Sequence, residues 1–520
     1  MPQNNISIAQ ARGNFLTWCI SGYLPLEQLC KPIYFAQQLS TADGGTGVPG
    51  TWYEFYSVND VRDTFGPGCP LTLMAMQHFA TCPELPLYCS PLAEVTTGAV
   101  KATHTITITG PATGTGLLAV ALMDFEFEVA VNTGTTGDAI AAALADAFNA
   151  NVDLPFDAAA ATGGQITMTS KVVGAAGNWF EPIWNPEFGD QFPPGVAVTT
   201  AAGTPGNATY DAVTLVTPFQ CPWDCVAIGV EDEIVVNTVI HQLRAQWLCG
   251  VQGDFRGGEC FHSYTDTAGQ IAAYGRDRNN PEEVVIPVRT GYKYPGYLFS
   301  AATCSRVCCT ACDDPSRPVQ YDNGILGSLY DHRQCSTVWS SDEKKMFYDA
   351  GIMNWDVANS LGVRVTSLWI EEPLTTYKYD QNTGAPDGAW QRVESRYTVM
   401  KFARDLGFWY RHNWSSVSLV DDGTRIPPGK RAVSPRIMKA SILAWMRAQE
   451  IGWTIEDAGR LESMVAVERT ETPNNCDPNR LNVMLDIDLV NQLARIATTI
   501  QQSPQWSCIP PVAIPAQIGG

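Results

Sequence analysis

The 520-residue chain reads as an α/β (α+β) multidomain protein. Three observations predict this. Strand-like and helix-like segments alternate along most of its length. A block of cleanly alternating strands differs in composition from its flanks, and both ends are extended stretches with no period of their own. Hydrophobic residues make up 45% and charged residues 17%, the balance of a globular protein, and the length suffices for two or three domains.

Residues 1–25 form an arm, polar and then mildly apolar, with Ile6 and Ile8 alternating ahead of Phe15 and Trp18. Alone, such a segment has little to pack against. Residues 26–97 hold the first part of a core, with strands expected over 33–35 and 52–56. The turn Phe65-Gly66-Pro67-Gly68 precedes a helix that Pro70 opens and Pro83 ends, carrying Leu73, Met74 and Phe79. Gly44, Gly45, Gly47 and Gly50 are no phosphate cradle, because no Lys-Ser/Thr pair follows them.

Residues 98–205 are rich in Thr, Ala and Gly and read as an inserted, β-rich protruding domain. Strands are expected over 103–108, 125–131 and 165–169. A helix capped near Thr136 puts Ile140, Leu144 and Phe148 on one stripe. Glu126 and Glu128 alternate with apolar neighbours, so they belong to a solvated strand face and are not an acid/base pair. Residues 206–340 read as a second α/β domain with a cysteine-rich segment. Strands are expected over 211–216, 255–264 and 283–288, and a helix carries Val235, Val239, Ile240, Leu243 and Trp247.

Residues 341–502 form a C-terminal core. Ser340 and Glu343 have capping-box spacing, and Gly351 stands where that helix stops. A strand over 363–370 and a Gly/Pro/Asp turn over 380–388 lead to a helix over 390–414 with Val399, Phe402, Leu406 and Trp409 on one face. Ser434-Pro435 starts the next helix, which carries Met438, Ile442 and Trp445. Strands over 461–470 and 480–487 make a hairpin, and Leu489, Leu493, Ile496 and Ile500 line a last helix. Residues 503–520, with four prolines, form a second extended arm.

The formal charge is −20, which argues against contact with nucleic acid, since phosphates need clustered Lys and Arg. Charge is unevenly spread: residues 1–250 hold 6 Lys+Arg against 22 Asp+Glu, and residues 391–450 hold 11 against 5. The basic segment reads as a solvated helix face or as a surface for an acidic partner. No signal peptide and no membrane span is read, and the expected setting is a cytoplasm.

Sixteen cysteines are many for a chain made there. Cys304, Cys308, Cys309 and Cys312 are metal-ligand candidates, but they lack the second arm that tetrathiolate sites use; His332 or Cys335 would have to supply a ligand. Cys221, Cys225, Cys304 and Cys312 are candidates for disulfides formed in an oxidising medium, and free, buried thiols are the alternative. No G-x-S-x-G, H-E-x-x-H or P-loop is present and the six histidines are scattered singly, so the chain is read as no enzyme and as needing no cofactor.

Several motifs in order resemble contractile phage tail sheath proteins of the Mu-like family. They are the Phe65-Gly66-Pro67-Gly68 turn, the helix over 136–150 with the Gly177-Asn178 turn, Gly351-Ile352-Met353-Asn354, Thr375-Thr376-Tyr377, and Trp390-Gln391-Arg392-Val393-Glu394. Asp477-Pro478-Asn479-Arg480 followed by Leu489-Val490-Asn491-Gln492-Leu493 is the most specific. The resemblance covers roughly residues 30 to 502 and is poorest over 250–335. It implies a core built from both chain ends, inserted outer domains, and arms that hook neighbouring copies.

The implied role is a structural subunit that polymerises as helical rings around an inner tail tube. Contraction of those rings would drive the tube through a host envelope. Its implied partners are identical copies, the tail tube protein, and baseplate and tail terminator proteins, with no direct nucleic acid and no membrane insertion; its place is the virion, after assembly in the host cytoplasm. On that reading Ile6, Ile8, Phe15, Trp18, Trp506 and Ile509 belong to inter-subunit arms. Val465, Val467, Val483 and Leu485 mark an arm-accepting hairpin, and Asn491 and Arg495 face the tube.

Read from residues alone, extended ends and an open hairpin fit strand addition between copies, or two disordered tails and a hairpin covered by its own chain. The resemblance favours the first. The competing class is a secreted, cysteine-rich binding or adhesion module. It would explain thiols, tryptophans and acidity, but not the ordered motifs.

Overall fold

The computed structural model describes residues 30–187, 189–247, 257–320, 326, 329, 339–357, 368–451, 460–469 and 480–485. In chain order the first elements are β1 (Pro32–Ala36), β2 (Tyr53–Phe55), α1 (Val58–Phe65), α2 (Pro70–Thr81) and β3 (Leu87–Pro91). An inserted block follows, with β4 (Glu94–Thr109), β5 (Gly116–Leu122), β6 (Phe125–Val131), α3 (Gly137–Ala150), β7 (Phe156–Ala161), β8 (Gln165–Val173), β9 (Ile183–Trp184), β10 (Ala197–Ala202) and β11 (Asn207–Tyr210). The chain then returns through β12 (Cys225–Ile228), α4 (Glu233–Trp247), β13 (Glu259–Asp266), α5 (Ala268–Arg276), β14 (Glu283–Arg289) and α6 (Gly296–Asp313). The last part comprises α7 (Ser341–Ala350), β15 (Asn354–Val357), β16 (Leu368–Glu372), α8 (Val393–Trp414), β17 (Ser418–Leu419), β18 (Ala432–Val433), α9 (Pro435–Ile451), α10 (Leu461–Met464), β19 (Val465–Arg469) and β20 (Leu481–Leu485).

A six-stranded sheet in the order β14-β13-β12-β1-β3-β2 organises the larger body. All neighbours are parallel except β2, which runs antiparallel to β3 at one edge. A parallel sheet needs cover on both faces, and the strands supply apolar side chains to both. Tyr34, Ala36, Cys225 and Ala227 face the layer of α2, α5 and α6, whereas Ile33, Phe35, Val226 and Ile228 face α4 through Val235, Val239 and Leu243. The sheet draws three strands from residues 26–97 and three from 206–340, so these segments share one layer and are not separate domains.

The inserted block has its own core. A five-stranded sheet (β10-β4-β8-β7, with β11 also on β4) and a three-stranded sheet (β6-β5-β9) pack with α3 around Ile106, Leu118, Phe127, Leu144, Phe148 and Ile166. Glu126 and Glu128 are exposed between buried Phe127 and Val129, as the alternation requires. The block is tied back by the Arg62–Asp153 ion pair at 2.6 Å and by Trp179 Nε1–H donating to the Tyr292 carbonyl at 2.8 Å. Gly68, at φ +74°, lies where a Cβ would come within 2.5 Å of the Leu154 carbonyl oxygen. The Phe-Gly-Pro-Gly turn is thus shaped by contact with the inserted block.

Several expectations are met and some are not. The Ser340/Glu343 capping box forms, and Gly351 closes α7 at φ +72°. Residues 211–216 are not a strand: Asp211 Oδ1 accepts from the Val213 N–H at 3.0 Å and winds Ala212–Leu215 into a 3₁₀ turn. The hairpin's first strand starts at Val465, after the helical turn of α10. Of the strand expected over 363–370, the described part is Leu368–Glu372. Residues 1–29 and 486–520, and with them both arms and the last helix, lie outside the described residues. So does any share of the N-terminal arm in a core made from both ends.

Candidate assembly site

The helix α8 spans two cores. Its first turns bury Val393, Tyr397 and Met400 against the main sheet layer. Its later turns place Phe402 and Leu406 in a second cluster with Val433, Met438, Ile442, Met446 and Val465. A 22-residue helix is about 33 Å long, enough to act as a strut between the two.

Charged side chains fix its position. Arg392 pairs with Glu372 at 3.1 Å and Glu394 at 3.3 Å, Arg396 with buried Glu259 at 3.3 Å, and Arg404 with buried Asp224. Burial pushes the Glu259 carboxyl up, and the Arg396 guanidinium opposes that. These arginines begin the basic run read from sequence, so part of that run is internal. Arg425, Lys430, Arg431, Arg436 and Arg447 are exposed and form its outward part.

Asp224 joins three segments. Its Oδ2 accepts the N–H groups of Cys30 and Lys31, both at 3.0 Å, where the chain enters β1. The other oxygen meets Arg404, and the Asp224 carbonyl accepts from the Tyr397 hydroxyl at 3.0 Å. The root of the N-terminal segment is thereby fastened to the strut. Sequence reading missed Asp224 and Arg404; at a separation of 180 residues no local pattern links them.

The family-like motifs work as joints on the edge strand β14. The Glu282 carbonyl bonds Cys260 of β13, so alternate carbonyls of β14 point away from the sheet. Those of Glu283, Val285 and Pro287 accept from the Thr376 N–H (2.9 Å), the Met353 N–H (3.3 Å) and Trp355 Nε1–H (2.7 Å). Gly351-Ile352-Met353-Asn354 and Thr375-Thr376-Tyr377 thus cover an edge that would otherwise be free to pair. Thr376 Oγ1 also reaches Glu283 Oε2 at 3.1 Å, inside a network in which Glu283 meets Arg278 at 2.8 Å and His262 at 3.1 Å. Burial would raise the Glu283 carboxyl; His262, Arg278 and Asn280 outweigh it and hold it at about 2.

The hairpin of β19 and β20 forms a two-stranded sheet of its own among the described residues. Val465 pairs with Leu485 and Val467 with Val483, so the four residues marked by sequence share one face. That face packs on α8 and α9, with Leu481 beside it. Their side chains hold the hairpin down; an incoming strand would meet the main-chain edge instead. The other marked residues lie outside the described ones: Ile6, Ile8, Phe15, Trp18, Trp506, Ile509, Asn491 and Arg495.

The cysteine candidates take these places. Cys304, Cys308, Cys309 and Cys312 lie on one helix, α6, and do not converge. Cys304 and Cys308 approach Cys225, and Cys308 and Cys312 approach Cys30, while Cys309 points to another side. Cys304 and Cys312 are two turns apart, about 12 Å along the axis and beyond the reach of a disulfide. Cys221 packs on the α4 side of the sheet and Cys225 on the α6 side, so they are not bridged. All eleven described cysteines are free thiols. His332 and Cys335 lie outside the described residues. His78, bonded to the Tyr34 hydroxyl and the Leu85 carbonyl, is buried and lowered by burial to about 4, a structural residue.

No helix among the described residues is long and apolar enough to cross a membrane. No family model matches the chain. A solved structure, the anti-feeding prophage baseplate in its contracted state, contains a chain of 10% identity that aligns over 94% of this chain and 98% of its own, at a TM-score of 0.44. A protein of Haemophilus influenzae described as the Mu-like prophage FluMu tail sheath protein is 27% identical over 486 residues, covering 93% of this chain and 95% of that protein. The resemblance to Mu-like tail sheath proteins therefore extends through nearly the whole chain, well beyond the motifs that carry it.

Proposed function

We propose that this chain is a structural sheath subunit of a contractile, phage-type injection machine. The observation that carries the reading is the similarity to a Mu-like tail sheath protein, 27% identity along 93% of the chain. Copies stack as helical rings around an inner tube, and contraction is release of that lattice, with no chemistry inside the subunit. Partners are identical copies, the tube protein, and baseplate and terminator proteins. The particle assembles in the host cytoplasm and the subunit ends in the virion.

Two features of the chain support the mode of assembly. The hairpin of β19 and β20 is a two-stranded sheet separate from the main one among the described residues, and Asp224 anchors the point from which the N-terminal arm departs. Open-ended, heterologous contacts of this kind generate filaments. Arg495 and Asn491 are assigned to the tube-facing side, and the exposed cations between Arg425 and Arg447 to an acidic neighbour, ring or tube. The cysteine-rich adhesion reading gains nothing from eleven free, mostly buried thiols.

Deletion of residues 1–20 should leave a folded, soluble subunit that sediments as monomer and makes no filaments. Normal polymers from that truncation would remove the arm from the account. Charge reversal at Arg495 should reduce co-sedimentation with tube protein while the monomer keeps its unfolding curve.

A further inference from the structure

Cys309 sits about 100° around α6 from Cys308, which turns it out of the stripe of Cys304, Cys308 and half-buried Cys312. There it meets the end of α2. Cys82 caps that helix, and Pro83 directs the chain so that Glu84 comes back beside it. Cys309 Sγ–H reaches Glu84 Oε1 at 2.8 Å, and Cys82 Sγ–H reaches the same oxygen at 3.3 Å. The two sulfurs and the carboxylate oxygen all lie within 4.8 Å of one another.

We propose that Cys82, Glu84 and Cys309 form a binding site for a thiophilic divalent cation of the zinc type, with water in the fourth position. Zinc takes thiolate sulfur at about 2.3 Å and carboxylate oxygen at about 2.1 Å, which sets tetrahedral ligand–ligand edges of about 3.5 to 3.8 Å. Ligand atoms already gathered within 4.8 Å reach that geometry by side-chain adjustment alone. The metal replaces protons: one cation and two thiols give two metal–thiolate bonds and two released protons, with no change of oxidation state.

The surroundings suit such an exchange. Cys309 and burial push the Cys82 thiol up, and the Cys309 thiol holds Glu84 below its usual range. Two thiolates, one carboxylate and a dication leave a single negative charge. Arg306, which donates to the Thr81 carbonyl at 3.2 Å and acts on Glu84, offsets it. Cys82 is buried, Cys309 half-buried and Glu84 exposed, so one side is open for entry. The bound ion clamps the end of α2 to α6, two of the three helices that cover one face of the main sheet.

The test uses the full chain, reduced and stripped of metal, with cobalt(II) as the probe. One equivalent should bind with a thiolate-to-cobalt charge-transfer band in the near ultraviolet, and zinc should displace it. Cys309→Ser and Glu84→Gln, both at accessible positions, should each weaken binding at least tenfold and keep the wild-type circular dichroism. Cys312→Ser should bind as wild type. An unchanged cobalt titration in Cys309→Ser, or a charge-transfer band lost equally in Cys312→Ser, would overturn the assignment. Absence of any one-equivalent binding in the wild type would do the same.

Discussion

Asp224 and Arg404 form an ion pair across 180 residues, with the aspartate buried and the guanidinium nearly so. It joins the loop ahead of β12 to the strut helix α8. The same carboxylate holds the backbone at Cys30 and Lys31, so one side chain links the arm's root to the C-terminal half.

Replacing Asp224 by Asn keeps an acceptor for that backbone but leaves the Arg404 charge without its buried partner. Breaking a buried pair on one side costs about 3 kcal/mol or more. Urea unfolding of Asp224→Asn should show a loss of that order, and Asp224→Asn with Arg404→Met should recover part of it. A loss under about 0.5 kcal/mol, the level of an ordinary surface change, would refute the anchoring role.

Glu283 gives a pH signature. Its carboxyl is held at about 2 in the folded chain, below the usual value in an unfolded one. A depressed carboxylate stabilises above the unfolded pKa, and that stabilisation fades as pH falls from about 4.5 towards 2. The stability gap between wild type and Glu283→Gln should therefore be widest at neutral pH and close through this window. A gap independent of pH would place the effect in packing alone.

The capping box at Ser340 should be separable from the ion pair on the same glutamate. Ser340→Ala loses the cap and should cost about 1 kcal/mol. Glu343→Ala keeps its own N–H bonded to the Ser340 hydroxyl but loses the return bond from the Ser340 N–H and the contact with Arg289 at 2.7 Å. Glu343→Gln keeps an acceptor for the Ser340 N–H and removes only the charge, so it should lose the Arg289 share alone; no loss for Glu343→Gln in denaturant unfolding would mean that ion pair contributes nothing.

Thiol chemistry checks the cysteine assignment. In the native protein, alkylation should label Cys221, Cys309 and Cys312 first, since these are only half-buried, and reach the other eight described cysteines after unfolding. Mass mapping that found a Cys221–Cys225 bridge would contradict the two-sided placement across the sheet.

Much of the architecture was legible because local period and burial agree. Residues 125–131 alternate in sequence and in exposure, and Pro70, Ser340 and Gly351 mark helix ends where the chain has them. Several strands were not legible, β3 and β12 of the main sheet among them, and β5 and β7 show why. Leu118 to Leu122 is buried at every position, so alternation is absent, and Ala158 to Ala161 is a helix-favouring run held extended by pairing with β8. Residues 304–312 were weighed as a metal-ligand spacing when the same intervals are a helical stripe.

The candidate site was legible in part. Val465, Val467, Val483 and Leu485 were named as parts of one hairpin, and they pair across β19 and β20. The motif Thr375-Thr376-Tyr377 was visible as a pattern, but its job at the β14 edge depends on a strand some 90 residues earlier. Long-range pairs such as Arg396–Glu259 leave no mark in a single sequence.

The central claim is that identical copies assemble by lending their ends to one another. Electron microscopy of the purified full-length chain, carried to a helical reconstruction, tests it most directly. The account predicts tubes or striated rods in which an extended segment from a neighbouring copy lies along an edge of the β19–β20 hairpin. Dispersed monomers, or a map in which each copy folds both ends against itself, would contradict it.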